Sequence, residues 1–295
     1  VSTRSGFVAL AGRPNVGKST LVNAIVGEKV AIVSDKPQTT RRAIRGVAMR
    51  GDAQLVLVDL PGVQRPRDAL TQRMQGRVER ELADADASLL LLNGEQGVGP
   101  GDRFIAAALA TADVPVAIAV NKVDRLDRAH TLDMLEAAAD LQISDDIFPV
   151  SARKGTGVDA LVEHLVGLLP EGAFMFDAQD ASDQPESVML AELIREQILR
   201  RTFQEIPHAV EVVVEDVDAT TRDDLVRVTA LAWVEAESQK GILIGAQGRM
   251  IKAIGTAARR ELERHLDRRV HLDLSVRVRR HWRADDALLD RLGIE

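Results

Sequence analysis

The residues with the clearest chemical purpose lie near the start of the chain. Gly12-Arg13-Pro14-Asn15-Val16-Gly17-Lys18-Ser19 follows a short apolar run, Gly6 to Leu10, and leads into a helical pattern from Thr20 to Val26. This is the GxxxxGK[ST] spacing of a phosphate-binding loop in the strand–loop–helix setting it requires. Its glycines let backbone N–H groups turn inward around an anion, and a helix N-terminus favours negative charge. Lys18 would reach the β- and γ-phosphates, and Ser19 would offer its hydroxyl to Mg²⁺.

Two further motifs come in order. Asp59-Leu60-Pro61-Gly62 closes the apolar run Leu55 to Val58. A carboxylate there can hold Mg²⁺, through water, while Gly62 donates its backbone N–H to a γ-phosphate. An Asp at a strand end is also a common turn former, so this motif alone is weak. Asn121-Lys122-Val123-Asp124 follows the run Val116 to Val120. A carboxylate at Asp124 would accept two hydrogen bonds from guanine N1–H and N2–H₂, a donor pair that adenine lacks. Leaving it unsatisfied costs a few kcal/mol, on the order of 1–3. Lys122 would pack along the base and Asn121 would tie this loop to the phosphate loop. Ser151-Ala152-Arg153 comes next, where the Ala152 N–H would meet guanine O6. Three motifs in this order select GTP and GDP over adenine nucleotides.

Between the first two motifs lies Lys36-Pro37-Gln38-Thr39-Thr40-Arg41-Arg42. A threonine hydroxyl here would complete a Mg²⁺ shell of Ser19, Thr40 and Asp59 only when the γ-phosphate is present, making the loop an order–disorder switch. Thr40 is favoured over Thr39. The residues expected to act on the phosphates are thus Lys18, Thr40 and Asn15, with Thr20 completing the loop–helix junction. Many GTPases carry a water-orienting glutamine just after Asp-x-x-Gly; here Val63 stands there, and Gln64, one further on, would point elsewhere. Slow hydrolysis follows.

The elements that must hold these groups are legible as strands alternating with helices. Val47–Met49 and Leu55–Val58 flank a Gly51-Asp52 turn. Ser88–Leu92, Val116–Val120 and Ile147–Val150 read as further strands, the first two covered on both faces. Phe104–Ala110, Leu132–Leu141 and Val158–Leu169 read as helices. The result is a mostly parallel α/β domain over residues 1–170. Residues 171–186 lack apolar periodicity and carry Gly172, Asp177, Asp180, Asp183 and Pro185, which reads as a linker. A second unit, 187–295, begins with a helix near Ser187–Phe203 and strands at Ala209–Glu215 and Leu225–Val234. A short helix then leads to Gly245, and a longer one, Arg249–His265, precedes a strand at Val270–Val278.

Gly245-Ala246-Gln247-Gly248 is a GxxG between an apolar and a basic helix. Such a loop lets backbone approach nucleotide phosphates and clamp a single strand. It is common enough to be a plain helix–helix turn, but the α-β-β-α-α-β order and the local charge favour RNA. The chain is acidic overall, at −7, yet twelve Lys/Arg face four acids between Lys240 and Arg283, a local balance of +8. Screening confines electrostatics to about 8–10 Å, so the local value matters more. Lys240, Arg249, Lys252, Arg259 and Arg279 are the expected contacts to RNA backbone, beside Gly245, Ala246, Gln247 and Gly248. Trp282 could stack on a base, but packing the final strand is favoured.

These residues resemble those of the Era family of bacterial ribosome-assembly GTPases over nearly the whole length. The resemblance takes in the three motifs above, Gln38 to Arg42, Ala191-Glu192-Leu193-Ile194-Arg195-Glu196, Lys240 to Gly248 and the closing Ala284 to Gly293. It implies a Ras-like P-loop GTPase domain followed by an α+β type-II KH domain. It also implies binding near the 3′ end of 16S ribosomal RNA and assistance to 30S assembly. In related GTPases an asparagine at the position of Asn15 helps hold K⁺ beside the β/γ bridge. Three departures stand out: Leu60 where the family has Thr, Arg153 where it has Lys, and Ala246 where a KH loop usually carries Lys.

Composition bounds the rest. The 295 residues are 45% hydrophobic and 28% charged, as in ordinary globular proteins. The chain has no cysteine, which excludes disulfides, thiolate metal sites and cysteine nucleophiles. No apolar run approaches the roughly 20 residues of a membrane span, and Val1 to Gly6 does not read as a signal peptide. The expectation is a cytoplasmic monomer, with peripheral contact at the inner face of the cell membrane left open. A signalling GTPase whose basic tail meets anionic lipid, or a KH-like module without nucleic acid, are the competing readings.

Overall fold

The computed structural model describes residues 2–36, 38–63, 66–222 and 224–294. They form two units. One comprises 1–31, 40–183 and 293–295; the other comprises 32–39 and 184–292.

In the first unit, β1 (Arg4–Ala11), β2 (Ile44–Arg50), β3 (Ala53–Asp59), β4 (Ala87–Asn93), β5 (Val116–Asn121) and β6 (Ile147–Val150) form one sheet in the order β2-β3-β1-β4-β5-β6. Only the β2–β3 pair is antiparallel. Every residue of β3 and β4 is buried, because helices cover both faces: α1 (Lys18–Val26), α2 (Ala69–Ala83), α3 (Pro100–Leu109), α4 (Arg128–Ala139) and α5 (Val158–Leu168). This explains the continuous apolar runs of the inner strands.

Register brings the motifs together. Leu10 pairs with Asp59 across β1–β3, and Asn93 pairs with Asn121 across β4–β5. The loops leaving β1, β3 and β5 therefore emerge at the carboxyl ends of parallel strands, where ligands of open α/β sheets bind.

One helix of this unit went unread in the sequence. α2 buries Leu70, Met74 and Val78 at i, i+4, i+8, and is capped by Asp68, whose side chain accepts from the Thr71 N–H at 2.9 Å. The stretch after Pro170 forms no helix, but it is bonded to the first unit. Gln54 is fully buried in β3; it accepts from the N–H groups of Met175 and Phe176 and donates to the Phe176 carbonyl at 2.8 Å.

In the second unit, α6 (Glu186–Leu199) is followed by a four-residue α7 (Ile206–Ala209), then β7 (Glu211–Arg222) and β8 (Leu225–Val234). α8 (Glu237–Ile244), α9 (Arg249–Leu266), β9 (Arg269–Val278) and α10 (Asp286–Arg291) complete it. The sheet order is β7-β8-β9, with β8 and β9 parallel. α9 is amphipathic: Ile254, Ala258 and Leu262 are fully buried, and its basic residues lie outside. β7 extends past the expected Glu215 through register shifts at Val214/Asp216 and Asp218/Arg222, which carry a polar segment along the pairing. Trp282 is fully buried and donates its indole N–H to the Ala209 carbonyl at 2.8 Å, so it packs rather than stacks on a base.

Candidate guanine-nucleotide and RNA sites

The phosphate loop turns on backbone conformation. Asn15 and Gly17 both have positive φ, 65° and 105°. A Cβ at Gly17 would lie 2.3 Å from the Asn121 amide nitrogen, so glycine there makes room for the base-binding loop as well as for phosphate. Lys18 is buried, and its ammonium donates to the Gly12 and Arg13 carbonyls at 3.0 and 3.1 Å. Burial lowers its pKa to about 8, with Asp59 acting in the opposite sense. A phosphate arriving beside it would supply the missing counter-charge. The Arg13 side chain turns elsewhere, to Asp102 at 2.8 Å, so Arg13 serves the loop through its backbone.

Beside the loop, three oxygen-bearing side chains converge. The Ser19 hydroxyl donates to Asp59 Oδ2 at 2.5 Å and lies 3.1 Å from the Thr40 hydroxyl, which reaches Asp59 Oδ2 at 3.4 Å. Asp59 is fully buried, and its other oxygen, Oδ1, has no partner among the described residues. Burial raises its pKa, opposed by Lys18 and by the Ser19 and Thr40 hydroxyls. A buried carboxylate with an unused oxygen costs on the order of 1–3 kcal/mol unless something positive meets it. Hard oxygen donors are what Mg²⁺ prefers, and an octahedral shell spaces adjacent oxygens roughly 2.9 Å apart. The residues fit the ion: Ser19 and Thr40 as hydroxyl donors, Asp59 as the carboxylate. Bound there, Mg²⁺ would neutralise charge on the β- and γ-phosphate oxygens.

The base-binding loop is braced against the phosphate loop twice. Asn121 donates to the Val16 carbonyl at 2.9 Å, and the Lys122 ammonium donates to the Asn15 carbonyl at 2.9 Å. Asn121 Oδ1 also accepts from Lys122 N–H at 2.8 Å and from Ala152 N–H at 3.0 Å, fixing three loops with one amide. Asp124 accepts from the Ser151 hydroxyl at 2.7 Å, which is the leading reason its pKa is lowered. The lowered pKa favours the ionised form, the one that two donors such as guanine N1–H and N2–H₂ would require. Arg153 is exposed, while Leu60 is fully buried with Ala9, Val58 and Val78. Pro61 is buried, and Thr20 lies within α1. Val63 packs its side chain against apolar neighbours, its N–H donating to the Gly12 carbonyl at 3.3 Å; Gln64 lies outside the described residues.

In the second unit, Gly245–Gly248 forms a tight turn between α8 and α9, with Gln247 at φ 53° and Ala246 and Gln247 exposed. Arg249 and Lys252 project from the first turns of α9 and are exposed; Lys240 is half-buried on α8. Exposed Ile242 and Ile244 flank the same turn. Arg259 and Arg279 are engaged locally. Arg259 lies 3.9 Å from Glu263; Arg279 pairs with Asp285 at 3.1 Å and stacks 4.9 Å over the Trp233 ring. Of the expected cations, Arg249 and Lys252 are the ones the structure puts at the loop.

Fold and site together define a P-loop GTPase joined to a KH domain. A family model described as 50S ribosome-binding GTPase matches residues 7–122, and a KH-domain model matches 205–283. GTPase Era of Mycobacterium avium (strain 104) is 45% identical over 294 residues, covering 98% of each chain. GTPase Era of Mycobacterium tuberculosis (strain ATCC 25618 / H37Rv) is 43% identical over the same length. Among solved structures, Era in complex with MgGDPNP and nucleotides 1506–1542 of 16S ribosomal RNA is similar at a TM-score of 0.95, with 32% identity and 99% of each chain covered. An Aquifex aeolicus Era variant bound to GDP and AlF4⁻ gives a TM-score of 0.93 at the same identity and coverage. The chain belongs to the Era family of GTPases.

Proposed function

We propose that this GTPase is a slow switch whose KH unit binds the 3′ region of 16S ribosomal RNA and assists 30S subunit assembly. In this reading Lys18 and the phosphate-loop amides hold the triphosphate, and Ser19, Thr40 and Asp59 hold Mg²⁺. Asp124 selects guanine, with Asn121, Lys122 and Ala152 placing it. Turnover is slow because Val63 offers no polar group to a water. Asn15 contributes to a K⁺ site beside the β/γ bridge, where the ion supplies charge that an arginine finger gives elsewhere.

One observation carries the RNA half: a GxxG turn whose following helix opens with exposed Arg249 and Lys252. The related Era solved with nucleotides 1506–1542 of 16S ribosomal RNA supports the choice of partner. No described helix is long and apolar enough to cross a membrane. Contact with the inner face of the cell membrane would have to be peripheral, through the basic face of α9.

The test is binding of the full chain to an RNA of that region, with GDP or a non-hydrolysable GTP analogue. Affinity should fall steeply with salt, as phosphate contacts release counterions. Charge reversal at Arg249 and Lys252 together should weaken it by at least tenfold. Unchanged RNA affinity would reduce the KH unit to a structural module. Sedimentation with anionic liposomes but not with RNA would favour the membrane reading instead.

A further inference from the structure

The helix α3 and the turn before it lie outside the three nucleotide motifs, yet the phosphate loop is fastened to them. The Arg13 guanidinium leaves the loop and meets Asp102 in the first turn of α3. Its Nε stands 2.9 Å from Oδ1 and 2.8 Å from Oδ2, and one terminal nitrogen donates to the Gly97 carbonyl at 3.3 Å. The Arg13 side chain is 26% exposed and that of Asp102 is 0% exposed, so the carboxylate meets its cation out of water. Gly101 leaves room for the arginine stem: a Cβ there would lie 2.8 Å from Arg13 Cδ.

Asp102 is held in turn. Its Oδ2 accepts from the Gly99 N–H at 2.9 Å, at a helix N-terminus where the dipole favours an acid. An ion pair with a buried member gives little net stability once desolvation is counted. What a planar guanidinium gripped by a carboxylate and a carbonyl supplies is a fixed direction.

The part so directed is the first half of the phosphate loop. Gly12 packs on β4 so closely that a Cβ would lie 2.7 Å from the Leu91 carbonyl oxygen. The Arg13 carbonyl accepts from the Lys18 ammonium at 3.1 Å, beside that of Gly12 at 3.0 Å. The residue whose side chain is seated on α3 is therefore one of the two against which Lys18 rests. A loop fixed before its ligand arrives binds more tightly, because less freedom is lost on binding. We infer that Arg13 and Asp102 are positioning residues for phosphate binding: Asp102 seats the Arg13 guanidinium on α3, and this holds the phosphate loop and Lys18 ready for the β-phosphate. The inference rests on the reading of residues 12–19 as the phosphate loop. It makes the start of α3 part of the nucleotide site, although no nucleotide motif falls there.

The experiment compares wild type, R13M, D102N, the double variant R13M/D102N and K18A in the full chain. In the double variant no charge is left alone, and the asparagine keeps an acceptor for the Gly99 N–H. Each is titrated with fluorescent GDP, and the phosphorus NMR spectrum of bound GDP is recorded at saturation, where weaker binding no longer matters. R13M and D102N should each lose at least tenfold in GDP affinity. The double variant should lose no more than the worse single one, since both residues act through one contact. In all three the β-phosphate resonance of bound GDP should move from its wild-type position. Affinities within twofold of wild type, losses that add in the double variant, or weaker binding with an unmoved β-phosphate resonance would overturn the inference. If K18A leaves GDP affinity untouched, the assignment of the phosphate loop itself fails, and the inference with it.

Discussion

The Asn121 side chain donates to the Val16 carbonyl at 2.9 Å, joining two loops 105 residues apart in sequence, while its other atom accepts from the Ala152 N–H. The amide is 2% exposed and holds the phosphate loop, the base-selecting loop and the Ser151 turn in one frame. Asn121→Ala should strip those bonds and leave buried polar groups unpaired, each worth about 1–3 kcal/mol. GDP affinity, measured by fluorescent-nucleotide titration, should fall by about 10–100-fold. An affinity within twofold of wild type would show that the frame is held by other contacts.

Asp124 makes two predictions through one carboxylate. Asp124→Asn should lose at least about 100-fold for GDP and gain for xanthosine diphosphate, whose ring offers an acceptor where guanine has a donor. The depressed pKa of Asp124, owed first to Ser151, means that the ionised form persists down to a pH below the ordinary carboxylate range. GDP affinity should therefore hold as pH falls and be lost only through that lowered pKa. Ser151→Ala removes the stabilising donor, so the loss should begin at higher pH. A pH profile of GDP binding identical in both proteins would contradict this.

Asn15 sits at positive φ, and its carbonyl accepts from the Lys122 ammonium. If its side chain helps hold K⁺, single-turnover hydrolysis should be at least tenfold faster in K⁺ than in Na⁺ at equal ionic strength. Asn15→Ala should erase the difference while leaving GDP affinity nearly intact. Equal wild-type rates in the two salts would rule the ion out.

Trp282 anchors the end of the KH unit. It is fully buried and bonded to Ala209, so Trp282→Ala should cost about 3–5 kcal/mol, the range for emptying a large aromatic site. Thermal unfolding should show the loss. Nucleotide binding, borne by the other unit, should survive at temperatures where that unit stays folded.

The nucleotide site was legible because its chemistry is local: the phosphate loop, Asp59 and Asn121–Asp124 each sit at the end of an apolar strand. Sequence could not show which carbonyl Lys18 or Asn121 would reach, because those partners are set by register. α2 was missed because its apolar residues are sparse, though Asp68 and Thr71 form a capping box at the start of the helix that carries Leu70, Met74 and Val78. α7 is too short for periodicity to reveal. Arg195 was visible only as part of a family-like segment. Nothing in an amphipathic pattern says that a guanidinium will be fully buried against a carbonyl 156 residues upstream. Arg279 was ranked with the RNA contacts on its chemistry and its closeness to the loop, while Asp285 and Trp233 engage it.

The pairing of Leu10 with Asp59 across β1 and β3 carries a last implication. Side chains on a strand alternate between faces, so a shift of one step in that ladder would turn Asp59 to the opposite side of the sheet. Ser19 and Thr40 would then face an empty corner, although the helices and the glycine-rich turn were intact. Inserting or deleting a single residue inside β3 should for that reason be far more harmful than changing several side chains on its neighbours: the buried carboxylate beside Ser19 and Thr40 is placed by counting residues as much as by choosing them.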